Sequence, residues 1–134
     1  MSAGSSFVVS RPSERRVIAR PGGVTTHPFI GRWNTADALI TTGTTSFPRG
    51  GAVALHTHNV GEVVLVLEGR ATVTVGDAAL QVEAGDATWV PEGLPHRFSN
   101  RGEGALVIYW VYAGRQVTRT ICATGETVDH LAES

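Results

Sequence analysis

The chain contains no lysine, and all 11 of its basic residues are arginine. Without a lysine amine, the protein cannot form a Schiff base with a carbonyl substrate or anchor pyridoxal phosphate. Cysteine is nearly absent as well, because Cys122 is the only one. A single cysteine cannot form a disulfide within the chain, so we expect a reducing compartment, the cytoplasm.

Long apolar runs and an excess of positive charge are also missing. No stretch approaches the roughly 18 consecutive apolar residues that a membrane span needs, and the first ten residues lack the pattern of a signal peptide. The net charge is −1 over 134 residues. Nucleic-acid and membrane-surface binding both call for a basic patch, so we expect neither a nucleic acid nor a membrane as a partner.

What the sequence does have is a succession of short strand patterns within a length that suits one domain. Segments rich in Val, Thr and Ala alternate with turn signals such as Pro48–Gly51, and no long stretch has helical apolar spacing. This pattern predicts an all-β protein, either an antiparallel sandwich or a small barrel. The predicted strands are 38–47, 52–58, 62–68, 71–75, 78–82, 87–90, 96–99 and 105–112, followed by a strand pattern at 116–121 and one helical turn at 127–132.

A group of histidines carries the chemistry. His56 and His58 are separated by one residue, and Glu62 follows after a short turn. On a helix the two histidines would lie about 200° apart, whereas on a strand they share a face. His96 follows a Pro-Glu-Gly turn that could return a third imidazole from another strand. Three nitrogens and one carboxylate suit Fe, Mn, Ni, Co or Zn.

These four residues belong to two longer patterns. The first runs from Gly50 to Gly69 as Gly-x5-His-x-His-x3-Glu-x6-Gly, and the second runs from Gly85 to Asn100 as Gly-x5-Pro-x-Gly-x2-His-x3-Asn. Fifteen residues separate them. Both patterns and their spacer resemble the two motifs of small microbial members of the cupin superfamily. The resemblance implies a small antiparallel double-sheet jelly-roll barrel and one divalent transition metal inside it, bound by His56, His58, Glu62 and His96.

The resemblance also suggests how the chain is organised. We expect a partly mobile lead-in over residues 1–35, the cupin barrel over 36–114, and a tail over 115–134. Two apolar segments of the lead-in, Phe7–Val9 and Arg16–Ile18, have no obvious place in a single barrel. Small cupins commonly pair through a sheet face and exchange an N-terminal strand. We therefore predict a homodimer, with the lead-in as the candidate for the exchanged strand.

Strand parity indicates which other side chains face the interior. Phe98 shares its parity with His96, and Val64 and Val66 share theirs with Glu62, so we expect these three side chains to line a substrate pocket. Arg97 alternates with His96 and should point outward. His27 and His130 lie outside both motifs and are not expected to bind the metal.

Four protein ligands in an octahedral field leave about two positions open, where a substrate with two adjacent oxygens could chelate. The sequence therefore predicts a metal-dependent enzyme, a dioxygenase or an isomerase, acting on a small oxygen-rich metabolite. Glu62 would be mainly a ligand and secondarily a catalytic base. A reaction that needs two protein acid/base groups would require Tyr109 or Tyr112 to point inward.

The alternative is a non-catalytic metal- or ligand-binding module, used for sensing or sequestration. The motifs specify the metal cage and not the reaction. A cavity wide enough for a substrate, with a second acid/base group beside the metal, would favour the enzyme. A filled, dry interior would favour the module.

Overall fold

Two six-stranded antiparallel sheets pack face to face in a computed structural model that describes residues 7–132. The first sheet has the strand order β1-β2-β3-β10-β5-β8 and the second the order β12-β11-β4-β9-β6-β7. This is the predicted double-sheet jelly roll. The strands are β1 (Ile18–Ala19), β2 (Thr25–Ile30), β3 (Thr41–Phe47), β4 (His56–His58), β5 (Glu62–Glu68), β6 (Arg70–Val75), β7 (Ala78–Glu83), β8 (Ala87–Val90), β9 (His96–Ser99), β10 (Leu106–Tyr112), β11 (Thr118–Ile121) and β12 (Thr127–Asp129).

Most of the strand predictions are confirmed, and those over 62–68, 87–90 and 96–99 match in both bounds. The strand predicted over 52–58 is shorter in the structure, where it begins at His56. Residues 52–54 line a cavity instead, and their strand pairing is limited to one bridge from Ala52 to Ser99. The predicted helical turn at 127–132 is wrong. Residues 127–129 form β12 instead, since β11 supplies an antiparallel partner for them. No helix within residues 7–132 is long and apolar enough to cross a membrane.

Both sheets use residues from outside the predicted barrel limits of 36–114. Strands β1 and β2 extend the first sheet, and β11 and β12 extend the second. Ile18, which the sequence analysis left without a place in one barrel, pairs with Thr26 and is buried in the core of its own chain. Phe7 is exposed, and the predicted mobility of residues 1–6 lies outside the described residues. Strand exchange and the homodimer stay predictions.

The core lies between the sheets and changes character along its length. On β10 the inward side chains Leu106, Ile108, Trp110 and Tyr112 are all buried, and the residues between them are half-buried. Trp110 buries its indole and donates from Nε1 to the Thr45 hydroxyl at 2.9 Å, which satisfies its polar atom. Apolar rows therefore fill one end of the barrel and give way to polar side chains at the other.

The register between β5 and β10 shows where that change falls. Val66 lies opposite Ile108, and Val64 lies opposite Trp110. One step further along the same inward row, Glu62 lies opposite Tyr112. The polar end of the barrel thus begins with a buried carboxylate beside a buried phenol.

Gly69 connects β5 to β6 and is a point at which the fold requires glycine. Its φ is +86°, and a Cβ there would lie 2.2 Å from the carbonyl oxygen of Ala105. Gly85 has a similar φ of +95°, but a Cβ there would meet nothing within 4 Å. An alanine at position 85 would therefore suffer backbone strain alone, whereas an alanine at position 69 would suffer both backbone strain and a steric clash.

We expect Gly69→Ala to lower the free energy of unfolding by about 3 kcal/mol or more, since it adds a backbone clash to left-handed strain. Gly85→Ala should cost only about 1–2 kcal/mol, because it carries the strain alone. Urea denaturation of the two variants measures the difference. If the two variants lose the same free energy of unfolding, a small backbone shift removes the clash between the new Cβ at position 69 and the carbonyl oxygen of Ala105.

Candidate metal centre

The three histidines of the motifs meet because β4 and β9 are neighbours in the second sheet. His56 and His58 point to the same side of the short strand β4, as predicted from their spacing. His56 lies directly opposite His96 on β9, so the third ring arrives beside the first. The potential ligand atoms of the three side chains all lie within 4.8 Å of one another.

Glu62 reaches the cluster from the opposite sheet. The turn from Asn59 to Gly61 carries the chain from β4 in the second sheet to β5 in the first. Glu62 is the first residue of β5 and faces the interior, where only 4% of it is exposed. The three histidines form the group whose ligand atoms lie within 4.8 Å of one another, and Glu62 lies beside it from the other sheet, in contact with His96 but outside that group.

Backbone carbonyls orient all three imidazoles in the same way. In each ring Nδ1 donates to a carbonyl oxygen, so Nε2 carries the free lone pair, and the outer hydrogen bond fixes both the tautomer and the direction of the ring. The result is a set of lone pairs that point toward one centre. The acceptors are Ala54 for His56 (2.6 Å), Thr118 for His58 (2.9 Å) and Leu94 for His96 (2.8 Å).

These lone pairs face one another at short range. Nε2 of His56 lies 3.0 Å from Nε2 of His58, and Nε2 of His96 lies 3.1 Å from Oε1 of Glu62. The two histidine lone pairs repel at this distance unless they share a cation, whereas Nε2 of His96 and Oε1 of Glu62 can also share a proton. Nitrogens that bind one metal at about 2.1 Å and at right angles lie about 3.0 Å apart. The donor set therefore fits a divalent metal ion.

The electrostatics of the cluster agree with that fit. Burial, followed by the charge of His96, lowers the pKa of His56 to about 4. Burial, followed by the charge of His56, lowers the pKa of His58 to about 2. Burial also acts to lower the pKa of His96, but the hydrogen bond and charge of Glu62 outweigh it, so that this pKa is raised. The two lowered pKa values keep His56 and His58 neutral at neutral pH, which is the form that coordinates a metal.

A cavity of about 610 Å³ opens onto the cluster. Phe98 lines it, as the sequence predicts, and Arg97 does not. The predicted pocket role of Val64 and Val66 is corrected, because both are fully buried in the apolar core and neither reaches the cavity wall. Their inward parity is right, but at about 3.3 Å per residue along the strand they lie too deep, roughly 7 and 13 Å beyond Glu62.

Tyr112 is the inward-facing phenol that the sequence left open. Its hydroxyl lies 3.2 Å from Nε2 of His58, and the ring is buried at the edge of the cavity. Burial, and after it the negative charge of Glu62, raises the pKa of Tyr112 well above its ordinary value. The phenol therefore keeps its proton beside the cluster. Alternation with Trp110 on β10 is the sequence signal that could have placed it.

Among the lining residues that the sequence analysis did not assign to the site, three are basic: Arg20, Arg119 and His130. Arg20 follows β1, Arg119 lies on β11, and His130 follows β12. The His130 ring meets that of His58 edge-on at 5.2 Å between centroids. All three come from outside the motifs, so only the course of the two end segments brings them to the cluster.

The two motifs and the fold agree with the comparisons to known proteins. A family model described as a cupin domain matches residues 43–112. The chain therefore belongs to the cupin family. A curated protein of Methanocaldococcus jannaschii is 34% identical over 62 residues, which are 46% of this chain and 50% of that one. One of Streptomyces coelicolor is 39% identical over 51 residues, 38% of this chain and 49% of that one. The chain thus spans about half the length of these relatives.

Solved structures confirm the architecture. An RmlC-like cupin from Shewanella frigidimarina has a TM-score of 0.68 at 18% identity, covering 81% of this chain and 92% of its own. KdgF from Halomonas has a TM-score of 0.68 at 17% identity, with coverages of 81% and 96%. Bacillus subtilis oxalate decarboxylase has a TM-score of 0.74 at 22% identity, covering 84% of this chain and 31% of its own. At these identities the likeness is one of fold.

We expect His58→Ala to lose most of the bound metal, because it removes one of three converging nitrogens and leaves a gap in the buried cluster. Metal analysis after dialysis should fall from about one ion per chain to a small fraction of that, a loss in affinity of roughly 100-fold or more. His27→Ala is the matched control, since His27 lies outside the cluster and its Nε2 contacts the Thr25 hydroxyl. Stoichiometric metal in folded His58→Ala would contradict the assignment.

Proposed function

We propose that this cupin is a metal-dependent enzyme that shifts a proton on a small, oxygen-rich metabolite, an isomerase of the keto–enol type. The observation that carries the proposal is the pairing of Glu62 with Tyr112 at the mouth of a three-histidine cluster. One divalent transition metal, held by His56, His58, Glu62 and His96, is part of the proposal. Bound there, the metal would act as a Lewis acid toward a chelating oxygen.

The open cavity supports an enzyme over a non-catalytic module. A volume of about 610 Å³ is within the range of small-molecule sites. The cavity has both features that favour an enzyme, room for a substrate and a second acid/base group beside the histidines. Sensing or sequestration remains the alternative function, and the experiment below separates it from catalysis.

The two acid/base groups differ in the proton that each can handle. The carboxylate of Glu62 can accept a proton, and its Oε1 lies 3.1 Å from Nε2 of His96. The phenol of Tyr112 retains its proton and can donate it. A base and an acid on adjacent strands, both facing one cavity, are what a proton shift between two carbons or between carbon and oxygen requires. Oxygen-dependent cleavage needs no such pair, so a dioxygenase is the second candidate.

The donor set leaves the metal open among Fe, Mn, Ni, Co and Zn. Mn(II) centres are reported for Bacillus subtilis oxalate decarboxylase. Its likeness to this protein has a TM-score of 0.74 at 23% identity and covers 84% of this chain and 31% of the decarboxylase. We propose manganese as the first metal to load. Elemental analysis of the protein from its own host would name the natural one.

The test measures exchange of a carbon-bound proton. Metal-loaded protein is incubated in D2O with a panel of hydroxyketones, 2-oxo acids and 1,3-diketones, and the loss of the C–H signal is followed by proton NMR. We expect at least one compound to exchange, and Tyr112→Phe to slow that exchange by roughly 100-fold because the proton donor is gone. The metal content of the variant should be unchanged.

Tyr109→Phe is the matched control, because Tyr109 lies on the same strand but faces outward, where its ring contacts Phe29. It should exchange protons as fast as the unmodified chain. Oxygen uptake without proton exchange would favour the dioxygenase. If neither occurs while small chelators still bind, the module is the better interpretation.

We also propose that the chain forms a homodimer through the outer face of the first sheet. Val63, Leu67 and Trp89 are exposed there, and Val63 and Trp89 are register partners on β5 and β8. Apolar side chains grouped on one sheet face favour association. A cytoplasmic location stays a prediction.

Light scattering at micromolar concentration should give twice the mass of one chain, and Trp89→Asp should give the monomer because it places a charge in the apolar contact. Leu80→Asp is the control, since Leu80 is comparably exposed (57% against 61%) but lies on the second sheet. A monomeric unmodified chain, or a Trp89→Asp variant that still dimerises, would overturn the proposed interface.

A further inference from the structure

The cavity beside the metal cluster is larger than a chelating group needs. Its volume is about 610 Å³. At about 30 Å³ per heavy atom, the value for liquid water, a seven-atom chelator such as 2,4-pentanedione fills roughly a third of that space. The walls beyond the cluster are therefore available to a further part of the substrate.

Two apolar side chains lie beside the histidines on the last two strands. Ile121 on β11 is the register partner of His56 and lines the cavity. Val128 on β12 also lines it and lies opposite Arg119, which in turn lies opposite His58. Both apolar side chains are half-buried, so each keeps surface that a bound molecule can cover. The strands formed by the tail thus extend the metal cluster sideways into an apolar wall.

Aromatic side chains form a second apolar wall, at the inner end of the cavity. Phe98 follows His96 by two residues on β9, which places it roughly 7 Å further along the strand. The Asn100 amide donates to the Phe47 carbonyl at 3.0 Å, so Phe47 lies at the same end of the barrel as Phe98. Both phenylalanines line the cavity, and Val53 joins them there. A group attached to a metal-bound molecule would meet hydrocarbon in this direction as well.

Polar side chains on the rest of the wall make hydrogen bonds within the protein. The hydroxyls of Thr26 and Thr45 lie 3.2 Å apart and bond to each other. Arg20 and Arg119 donate to the carbonyl oxygen of His130, at 2.6 and 2.9 Å. Small-molecule sites of this kind bind most of their ligand through apolar surface and orient it with a few polar groups. The polar groups that orient the ligand here are those of the metal cluster and Tyr112.

We propose that the substrate has two ends, a chelating pair of oxygens for the metal and an apolar chain or ring that Ile121, Val128 and Phe98 bind. The proposal rests on the proposed function, since the same molecule chelates the metal. It assigns β11 and β12 a role in substrate specificity that is separate from metal binding. Each CH2 group buried at this wall should tighten binding by up to about fourfold.

The test compares 2,4-pentanedione with 2,4-nonanedione, which has the same chelating group and four more CH2 groups. Calorimetric titration of the zinc-loaded chain should show the longer diketone binding at least about 20-fold more tightly, because its tail leaves water for the apolar wall. A second pair fixes the tail length and changes its end. We expect 2,4-heptanedione to bind more tightly than 4,6-dioxoheptanoate, in which a carboxylate replaces the terminal methyl group.

Variants locate the apolar wall. Ile121→Ser combined with Val128→Ser should reduce the preference for 2,4-nonanedione at least about fivefold and leave the zinc content unchanged. Ile30→Ser is the matched control, because Ile30 is also half-buried and ends a strand, β2, but does not line the cavity. It should keep the full preference.

A further measurement needs no variant. In the zinc-loaded unmodified chain, the terminal methyl group of bound 2,4-nonanedione should show nuclear Overhauser contacts to Ile121, Val128 or Phe98. Equal binding of 2,4-pentanedione and 2,4-nonanedione, tighter binding of the carboxylate, or no contact to these three side chains at saturation would overturn this proposal and leave the proposed function standing. A chain that binds neither diketone would overturn both.

Discussion

The arrangement of the site depends on three hydrogen bonds from imidazole Nδ1 atoms to backbone carbonyls. Each bond turns one ring so that its Nε2 lone pair points into the gap between the sheets. The carbonyls belong to the backbone near β4, on β11 and near β9, so the folding of the second sheet sets the ligand geometry before any ion arrives. Such preorganisation lowers the cost of binding. It also leaves several acceptor atoms together in a buried space, a condition that a cation relieves.

Two parts of the chain form this site. The motif strands β4, β5 and β9 hold the cluster, and β10 adds Tyr112 from the first sheet. The segments before β2 and after β10 supply the rest of the wall. Arg20 and Arg119 reach the same carbonyl oxygen from these two segments. One side of the cavity wall is therefore formed by long-range contacts between the segments at the two ends of the described chain.

The sequence alone was enough to predict the features that depend on neighbouring residues, such as strand faces and turns. The alternation of His56 and His58 on a strand needs only the period of a strand, and the turn glycines mark where strands end. Val64 and Val66 show the limit of parity, which gives the face of a strand but not the depth along the barrel. His130 shows a second limit. Its place depends on the antiparallel pairing of β11 with β12, which no residue near it predicts.

The double anchoring of the tail has a consequence for how proteins of this kind diversify. The side chains of the cluster and most of those that surround its open side lie in different stretches of sequence, and the end segments reach the cluster chiefly through the backbone, as at the Thr118 carbonyl that orients His58. A lineage could therefore keep one inorganic centre and its backbone support while changing the side chains of the end segments to explore new substrates. Two cupins with identical motifs would then be poor guides to each other's chemistry. The more informative comparison would align the flanks.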